Sequence, residues 1–311
     1  MEGLWSGKRV LVTGGGGFIG SAVVQALRRR GVEDRSIVVP RSTAYDLRSR
    51  ANADAVVKDC EVVLHLAAPT GSVEFSRSHP ASQYRDCTLI NVNLFEAARE
   101  AGVAKLVSLG NLLAYPAACA VPFREEALND GPVASGYMGI ALAKRQLLDL
   151  AEMYRVEFGM NTINVLAANA YGPGDHFSGA RAHVIPSTIA KCFRDQDLVV
   201  WGDGSATRDF LFVDDIAEGL LLAAEKLDAP AVVNLGSGRE VSIAELVRTI
   251  ARLTGFARDI RFDAARPGGD RRLASVERCE RLLHFSPEVT LEDGLSRTIA
   301  WYRDSSSAPA S

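Results

Sequence analysis

Eight consecutive residues near the start of the chain, Thr13-Gly14-Gly15-Gly16-Gly17-Phe18-Ile19-Gly20, have the types and spacing to hold a pyrophosphate. Read as Gly14-x-x-Gly17-x-x-Gly20, they let the backbone turn tightly and approach an anion closely. A helix opening at Ile19, directly after Phe18, aims free N–H groups and the positive end of its dipole at that charge. A glycine pattern alone is weak evidence. Here an apolar strand before it, Lys8–Thr13, and a helical stretch after it, Ile19–Arg30, supply the context it needs. The choice of dinucleotide turns on the end of the next strand. A carboxylate there bonds the ribose hydroxyls of NAD, whereas an Arg accommodates the 2′-phosphate of NADP. The sequence is Val38-Val39-Pro40-Arg41-Ser42, with no acid and one Arg, so NADP(H) is favoured and NAD(H) is the alternative.

A sheet must position these residues. Apolar runs at Ser36–Val39, Glu61–Ala67, Lys105–Leu109 and Asn161–Leu166 alternate with helical stretches at Leu89–Ala101 and Ser135–Phe158. Continuous apolar strands between helices predict an α/β fold, a Rossmann-like doubly wound parallel sheet covered on both faces. After Asn169 the texture changes to loops rich in Gly and Pro (YGPGD, VIPS, WGDGSATRD), then helices at Asp214–Glu225, Ile243–Thr254 and Leu291–Arg303. The expected organisation is a dinucleotide-binding domain over 1–168 plus about 210–235, with a smaller mixed α/β substrate domain from about 169–209 and 236–303. The tail 304–311 (DSSSAPAS) is expected to be disordered.

The chain's 311 residues, 47% of them hydrophobic, suffice for one large or two closely packed domains. With 35 Lys+Arg against 38 Asp+Glu, the formal net charge of −3 gives no electrostatic case for nucleic acid. No run approaches the ~20 apolar residues of a membrane span. The start MEGLWSGKRVLVTGG enters a strand-like segment directly and shows no secretory signal. Five cysteines (Cys60, Cys87, Cys119, Cys192, Cys279) are scattered with no CxxC pair, so a reducing cytoplasm is expected, without a disulfide framework or structural zinc. There is no HExxH, no GxSxG elbow and no acidic cluster with metal spacing. Asp214-Asp215 opens a helix after an apolar strand and reads as a cap.

At this point the chain resembles the extended short-chain dehydrogenase/reductase family of nucleotide-sugar epimerases, dehydratases and reductases. The matching signals are TGGGGFIG, His65-Leu66-Ala67-Ala68, Asn169-Ala170-Tyr171-Gly172-Pro173-Gly174-Asp175, Trp201-Gly202-Asp203-Gly204, Arg208-Asp209-Phe210 with Val213-Asp214-Asp215, and Asn234-Leu235-Gly236. They run in family order over roughly residues 7–303. The stretches LGNLLAYP, EEALNDGP, NAYGPGDHFSGARAHVIP, VVWGDGSATRDFLFVDD and RPGGDRR look most like the GDP-L-fucose synthases, which are NADPH-dependent 3,5-epimerase/4-reductases of a 4-keto-6-deoxy GDP-sugar. The resemblance implies that Asp46 and Leu47 lie near the adenine and that Ala67 and Ala68 line the cofactor. It places Asn169, His183, Lys191, Trp201, Arg208 and Arg272 at the nucleotide sugar, with Trp201 over a base or sugar face and the three basic residues at the diphosphate. It also implies a homodimer, paired through helices at about Asn91–Ala101 and Ser135–Phe158.

The family's reduction uses a Ser, a Tyr and a Lys. The Tyr of a Tyr-x-x-x-Lys helix protonates the 4-keto oxygen, the Lys holds the nicotinamide ribose and lowers the Tyr pKa, and the Ser orients the carbonyl. Lys144 aligns with that Lys, but four residues before it stands Ile140, which has no proton to donate. The family's Ser falls on Asn111, and its epimerase Cys, two residues later, falls on Leu113. Only Lys144 and His183 are kept. Losing one positioned proton donor typically costs about 10²–10⁴ in rate. Three residues can compensate. Tyr137 stands three before Ile140 and seven before Lys144, roughly on the same helix face; it supplies a hydroxyl if the helix start is displaced, and otherwise packs at the helix start. Asn111 retains a donor for a carbonyl or an oxyanion. His183 is either a single acid/base acting next to a carbonyl or a core or surface histidine.

The expected function is an NADP(H)-binding, nucleotide-sugar-modifying enzyme, a reductase and/or epimerase of an NDP-4-keto-6-deoxyhexose with an atypical active site. The alternatives are a non-redox enzyme (epimerisation, elimination or cyclisation) in a specialised biosynthetic pathway, and a catalytically inactive cofactor-binding protein of the same fold.

Overall fold

The computed structural model describes every residue except 1–2, 70–72, 180–181, 195–196, 229–230, 266–268, 270 and 308–311. Its strands in chain order are β1 (Val10–Thr13), β2 (Ile37–Val38), β3 (Val62–His65), β4 (Lys105–Asn111), β5 (Thr162–Ala167), β6 (Asn169–Tyr171), β7 (Leu198–Trp201), β8 (Thr207–Arg208), β9 (Phe210–Phe212), β10 (Ala231–Leu235), β11 (Val241–Ser242) and β12 (Ile260–Asp263). The helices are α1 (Phe18–Arg29), α2 (Arg50–Val57), α3 (Val73–Ser78), α4 (Pro80–Glu100), α5 (Met138–Phe158), α6 (Val184–Cys192), α7 (Val213–Lys226), α8 (Ile243–Thr254), α9 (Glu277–Leu283) and α10 (Leu291–Ser307).

Six strands form one parallel sheet in the order β2-β1-β3-β4-β5-β10. Residues of β1, β3 and β5 are buried throughout, as continuous apolar runs in a doubly covered parallel sheet require. Successive side chains of a strand point to opposite faces, so the sheet divides its neighbours into two cores. Val10 and Val12 join Leu27, Ile163, Ile216 and Leu220 under α1 and α7, whereas Leu11 joins Val63, Leu94, Phe95 and Leu147 under α2, α4 and α5. From β1 the chain moves outward to β2 and then returns to β3 on the other side. The order therefore reverses at the carboxyl ends of β1 and β3, where open α/β sheets bind ligands.

A third core lies beyond the sheet, around Tyr171, Ile185, Phe210, Phe212, Leu246, Ile250 and Leu295. Short strand pairs β6–β9, β8–β11 and β7–β12 frame it. Strand β9 serves both bodies. Leu211 packs into the first core, while Phe210 and Phe212 turn the other way into the third. Helix α8 is held by its ends, Ser242 accepting from the Glu245 N–H at 3.1 Å and Gly255 closing it at φ +72°.

The tail departs from expectation. Helix α10 continues to Ser307, so residues 304–307 are helical rather than disordered, while 308–311 lie outside the described residues. Trp301 and Tyr302 anchor that end against Phe177, with ring centroids 5.6 and 4.6 Å away, and no proline interrupts the helix before Pro309. Helix α4 begins nine residues before the expected Leu89, with Pro80 in its first turn. Among the described residues no helix is long and apolar enough to cross a membrane.

Candidate active site

The glycine loop leaves β1 at Thr13 and enters α1 at Phe18. Gly14 has φ +72°, and a β-carbon there would stand 3.0 Å from the Ala67 nitrogen, so the loop rests on the residues leaving β3. A β-carbon on Gly20 would overlap the Gly14 carbonyl oxygen, which is why the helix can start this close to the strand. Gly17 is the N-cap of α1 and offers no side-chain cap, leaving first-turn N–H groups for an anion. Phe18 and Ile19 are half-buried against the first core. Beyond β2, Val39 abuts Gly15, and the exposed Arg41 lays its guanidinium on Gly16, with Cζ 3.0 Å from the site of a β-carbon. Its charge thus sits on the rim of the glycine loop. Asp46 turns to Arg48, 2.6 Å away, whose hydrogen bonds hold its carboxyl below the usual range. Leu47 is buried with Val38 and Ala67 in the second core.

A buried chain of hydrogen bonds, missed in the sequence, ties this loop to the far side of the sheet. Thr13 Oγ1 lies 2.8 Å from His65 Nδ1 and accepts from the N–H groups of Leu66 and Ala67. His65 Nε2 lies 3.1 Å from Asn91 Oδ1, and Asn91 Nδ2 donates to the Ala143 carbonyl. Because Asn91 Oδ1 can only accept, these partners assign the imidazole proton to Nε2, and Thr13 then donates to Nδ1. Burial, followed by the charge of Lys144, pushes His65 down to about 4, so it is neutral at pH 7. The HLAA motif was the available signal.

Lys144 is buried on α5 and donates to the Leu109 carbonyl at 2.7 Å; burial lowers its pKa. One turn earlier, Ile140 packs with Cys87 and Ala143, and the half-buried Ala68, Leu113 and Tyr137 close around them. The position at which the resemblance implies a phenol is here part of an apolar cluster. Burial pushes the Cys87 thiol up to about 11. Asn111 Oδ1 accepts from the Leu113 N–H at 3.1 Å, capping a short turn, and its Nδ2 has no partner among the described residues.

Tyr137 does not lie within α5. It ends a 3₁₀ turn, Ser135–Tyr137, and stands at the N-cap, so its ring packs at the helix start, still against the cluster around Ile140. The Arg272 guanidinium covers that ring at 5.1 Å from its centroid. Arg272 also pairs with Arg208 through a β-bridge, which brings Tyr137, Arg208 and Arg272 to one place. Arg208 donates to the Thr207 carbonyl at 2.7 Å and lies against Gly269.

The remaining residues spread along the second body. His183 caps α6 and is exposed, in a surround where partial desolvation and then His176 hold its imidazole below the ordinary value. Lys191, in the last turn of α6, donates to the Val199 carbonyl at 3.3 Å, and desolvation lowers its pKa. Trp201, at the end of β7, is 56% exposed. Asn169 donates through Nδ2 to the Asp209 carbonyl at 2.9 Å. Of the RPGGDRR stretch, 266–268 and 270 lie outside the described residues.

Residues 10–236 match the NAD dependent epimerase/dehydratase family, and the chain belongs to it. It is 33% identical to a GDP-L-fucose synthase from Sinorhizobium fredii, over 95% of each chain. It is also 33% identical to a dTDP-4-dehydro-6-deoxy-D-allose reductase from Streptomyces, covering 96% of this chain and 97% of that one. Among solved structures, a GDP-L-fucose synthetase from Naegleria fowleri bound to NADP superposes with a TM-score of 0.88, at 26% identity over 98% of this chain and 97% of the other. The chain is thus a member of an enzyme family whose matched relatives include nucleotide-sugar enzymes, and its doubly wound fold is theirs.

Proposed function

We propose that this protein binds NADP(H) and acts on a nucleotide-activated sugar, as a reductase and/or epimerase of an NDP-4-keto-6-deoxyhexose whose proton chemistry bypasses the family's phenol. The observation that carries the cofactor reading is the Arg41 guanidinium seated on Gly16, beside an uncapped helix start and the closely packed Gly14 and Gly20, where a β-carbon would press on backbone. NADPH, when bound, supplies a hydride. The chain's own residues do the rest. Lys144, fixed by the Leu109 carbonyl, presents a cation at the ribose, and Asn111 Nδ2 offers a hydrogen bond to a carbonyl oxygen. Tyr137, its ring held under Arg272 and packed against the Ile140 cluster just before α5, carries the phenol that can stand in for the missing one. His183, held below its ordinary pKa, is neutral at pH 7 and able to take a proton from a carbon next to a carbonyl.

The apolar cluster around Ile140 and Leu113 favours a second reading, a non-redox reaction run by His183 on a scaffold that keeps its dinucleotide. Both readings include a homodimer through α4 and α5, supported by the exposed apolar side chains Leu89, Val92, Leu142, Met153 and Val156 along those helices.

The test is to titrate NADPH and NADH by fluorescence and to follow 340 nm with GDP-4-keto-6-deoxymannose. Tight NADPH binding with oxidation that is lost in Tyr137→Phe is the expected result. Binding without oxidation, but with deuterium entering the sugar in wild type and not in His183→Ala, transfers the assignment to the non-redox reading. Binding with neither leaves an inactive member of the family, and no dinucleotide binding overturns all three.

A further inference from the structure

One side chain holds the turn of α5 that carries Lys144. Asn91 of α4 donates through Nδ2 to the Ala143 carbonyl at 3.1 Å and to Gln146 Oε1 at 3.3 Å. These partners stand one residue before and two residues after Lys144. The other end of the same amide meets His65 Nε2, and through His65 the hydroxyl of Thr13, the residue that enters the glycine loop. Thr13, His65 and Asn91 are all buried, so these groups answer one another rather than water.

Only one direction of donation fits this chain. A carbonyl can only accept, so Ala143 fixes Asn91 with Nδ2 toward α5 and Oδ1 toward His65. Asn91 Oδ1 then requires a proton on His65 Nε2, leaving Nδ1 to accept from the Thr13 hydroxyl. With its proton placed there, Thr13 Oγ1 keeps its lone pairs for the Leu66 and Ala67 N–H groups. The Ala67 nitrogen is the atom on which Gly14 rests, 3.0 Å from the place of a β-carbon. Burial keeps the imidazole neutral at pH 7, as this order of donors demands. A satisfied relay thus runs from the turn around Lys144 to the backbone beneath Gly14. A break at His65 leaves buried partners unanswered on both sides and frees the two ends to shift.

Both ends serve one ligand if the chain binds NADP(H) as proposed above, and the inference rests on that reading. A dinucleotide gripped at its pyrophosphate by the glycine loop and at its nicotinamide ribose by Lys144 needs the two grips at one separation. We infer that His65 is a positioning residue: through Thr13 on one side and Asn91 on the other, it sets the distance between the glycine loop and Lys144, so that both ends of the dinucleotide are held at once. The tip of Lys144 is fixed separately, by the Leu109 carbonyl of β4 at 2.7 Å. Its backbone is fixed from α4, and that is the part His65 controls.

The test uses the full chain and two ligands. NADPH spans both grips, whereas adenosine 2′,5′-bisphosphate carries the adenine-side phosphates and no nicotinamide ribose. Both are titrated by calorimetry, and NADPH also by its own fluorescence. His65→Leu should weaken NADPH by at least about tenfold, the scale of a lost buried hydrogen bond, and leave the bisphosphate within about twofold. The emission of bound NADPH should shift toward that of the free nucleotide as the nicotinamide loosens. His65→Gln, whose amide can accept from Thr13 and donate to Asn91, should regain most of the affinity. In a Lys144→Met background, His65→Leu should cost NADPH less than about twofold more, because one grip is already gone. Equal losses for the two ligands, unchanged NADPH affinity in His65→Leu, no recovery in His65→Gln, or a full further loss beyond Lys144→Met would each overturn the inference. A wild-type protein that binds neither ligand would overturn the cofactor reading along with it, a result distinct from these. Should His65→Leu fail to fold, Asn91→Leu frees the Ala143 carbonyl without touching the glycine loop, and the same comparison of ligands decides.

Discussion

The Arg41 guanidinium rests on Gly16, its Cζ 3.0 Å from where a β-carbon would stand, so the cation and the phosphate loop are one surface. A 2′-phosphate bound there exchanges water for a charge-assisted contact that NADH cannot make. Arg41→Ala should therefore weaken NADPH by about 10- to 100-fold while leaving NADH within about twofold. Fluorescence titration of both nucleotides checks this, and equal losses for the two would remove Arg41 from the cofactor site. Gly16→Ala should act in the same direction by displacing the arginine.

Ile140 marks what this chain lacks for carbonyl reduction. Placing a phenol there should raise NADPH oxidation with a 4-keto sugar, toward the roughly 10²-fold or more that a positioned donor contributes. The added bulk must fit among Cys87, Ala143, Leu113 and Ala68, so Ile140→Tyr should also lose about 1–3 kcal/mol of stability. Steady-state rates beside a thermal melt separate the two effects. A folded Ile140→Tyr protein with an unchanged rate would show that the proton already arrives by another route.

The sheet was legible in the sequence because each strand is an apolar run bounded by turn residues, and β1, β3 and β5 bury every residue. The glycine loop was legible for the same local reason. The Thr13–His65–Asn91 chain was not, since its members come from three separate elements and only the parallel register Thr13↔His65 unites them. Tyr137 was placed on the face of Ile140 by helical spacing, but the helix starts one residue after it, and boundaries are what periodicity defines least well. Asp175 was visible only as part of a motif. That its Oδ2 finds no donor is a property of burial, which sequence spacing does not encode.

His65 makes stability depend on acid. Its pKa is about 4 in the folded chain against an ordinary 6.5, so the unfolded chain binds the extra proton between those values. The neutral imidazole's contribution is complete above pH 6.5 and is lost as pH falls toward 4, by about 3 kcal/mol in full. His65→Asn should cost about 1–3 kcal/mol at pH 8, through the broken bonds to Thr13 and Asn91, and the gap to wild type should narrow below pH 6.5. Denaturant unfolding at pH 8, 6 and 4.5 measures it; a gap that stays constant would mean His65 is charged in the fold.

Asp175 works in the opposite sense. Its carboxyl, raised from 3.8 to about 6 by burial, binds a proton more tightly folded than unfolded, so it destabilises the protein above pH 6 and the cost fades as pH falls toward 4. The His176 N–H answers one oxygen and leaves the other without a donor. Asp175→Asn keeps an acceptor for that N–H and removes the buried charge. At pH 8 it should stabilise the chain by about 2–3 kcal/mol, a Tm rise of several degrees, and the advantage should shrink below pH 6. A variant no more stable than wild type at pH 8 would mean that Asp175 already has a counter-charge in solution.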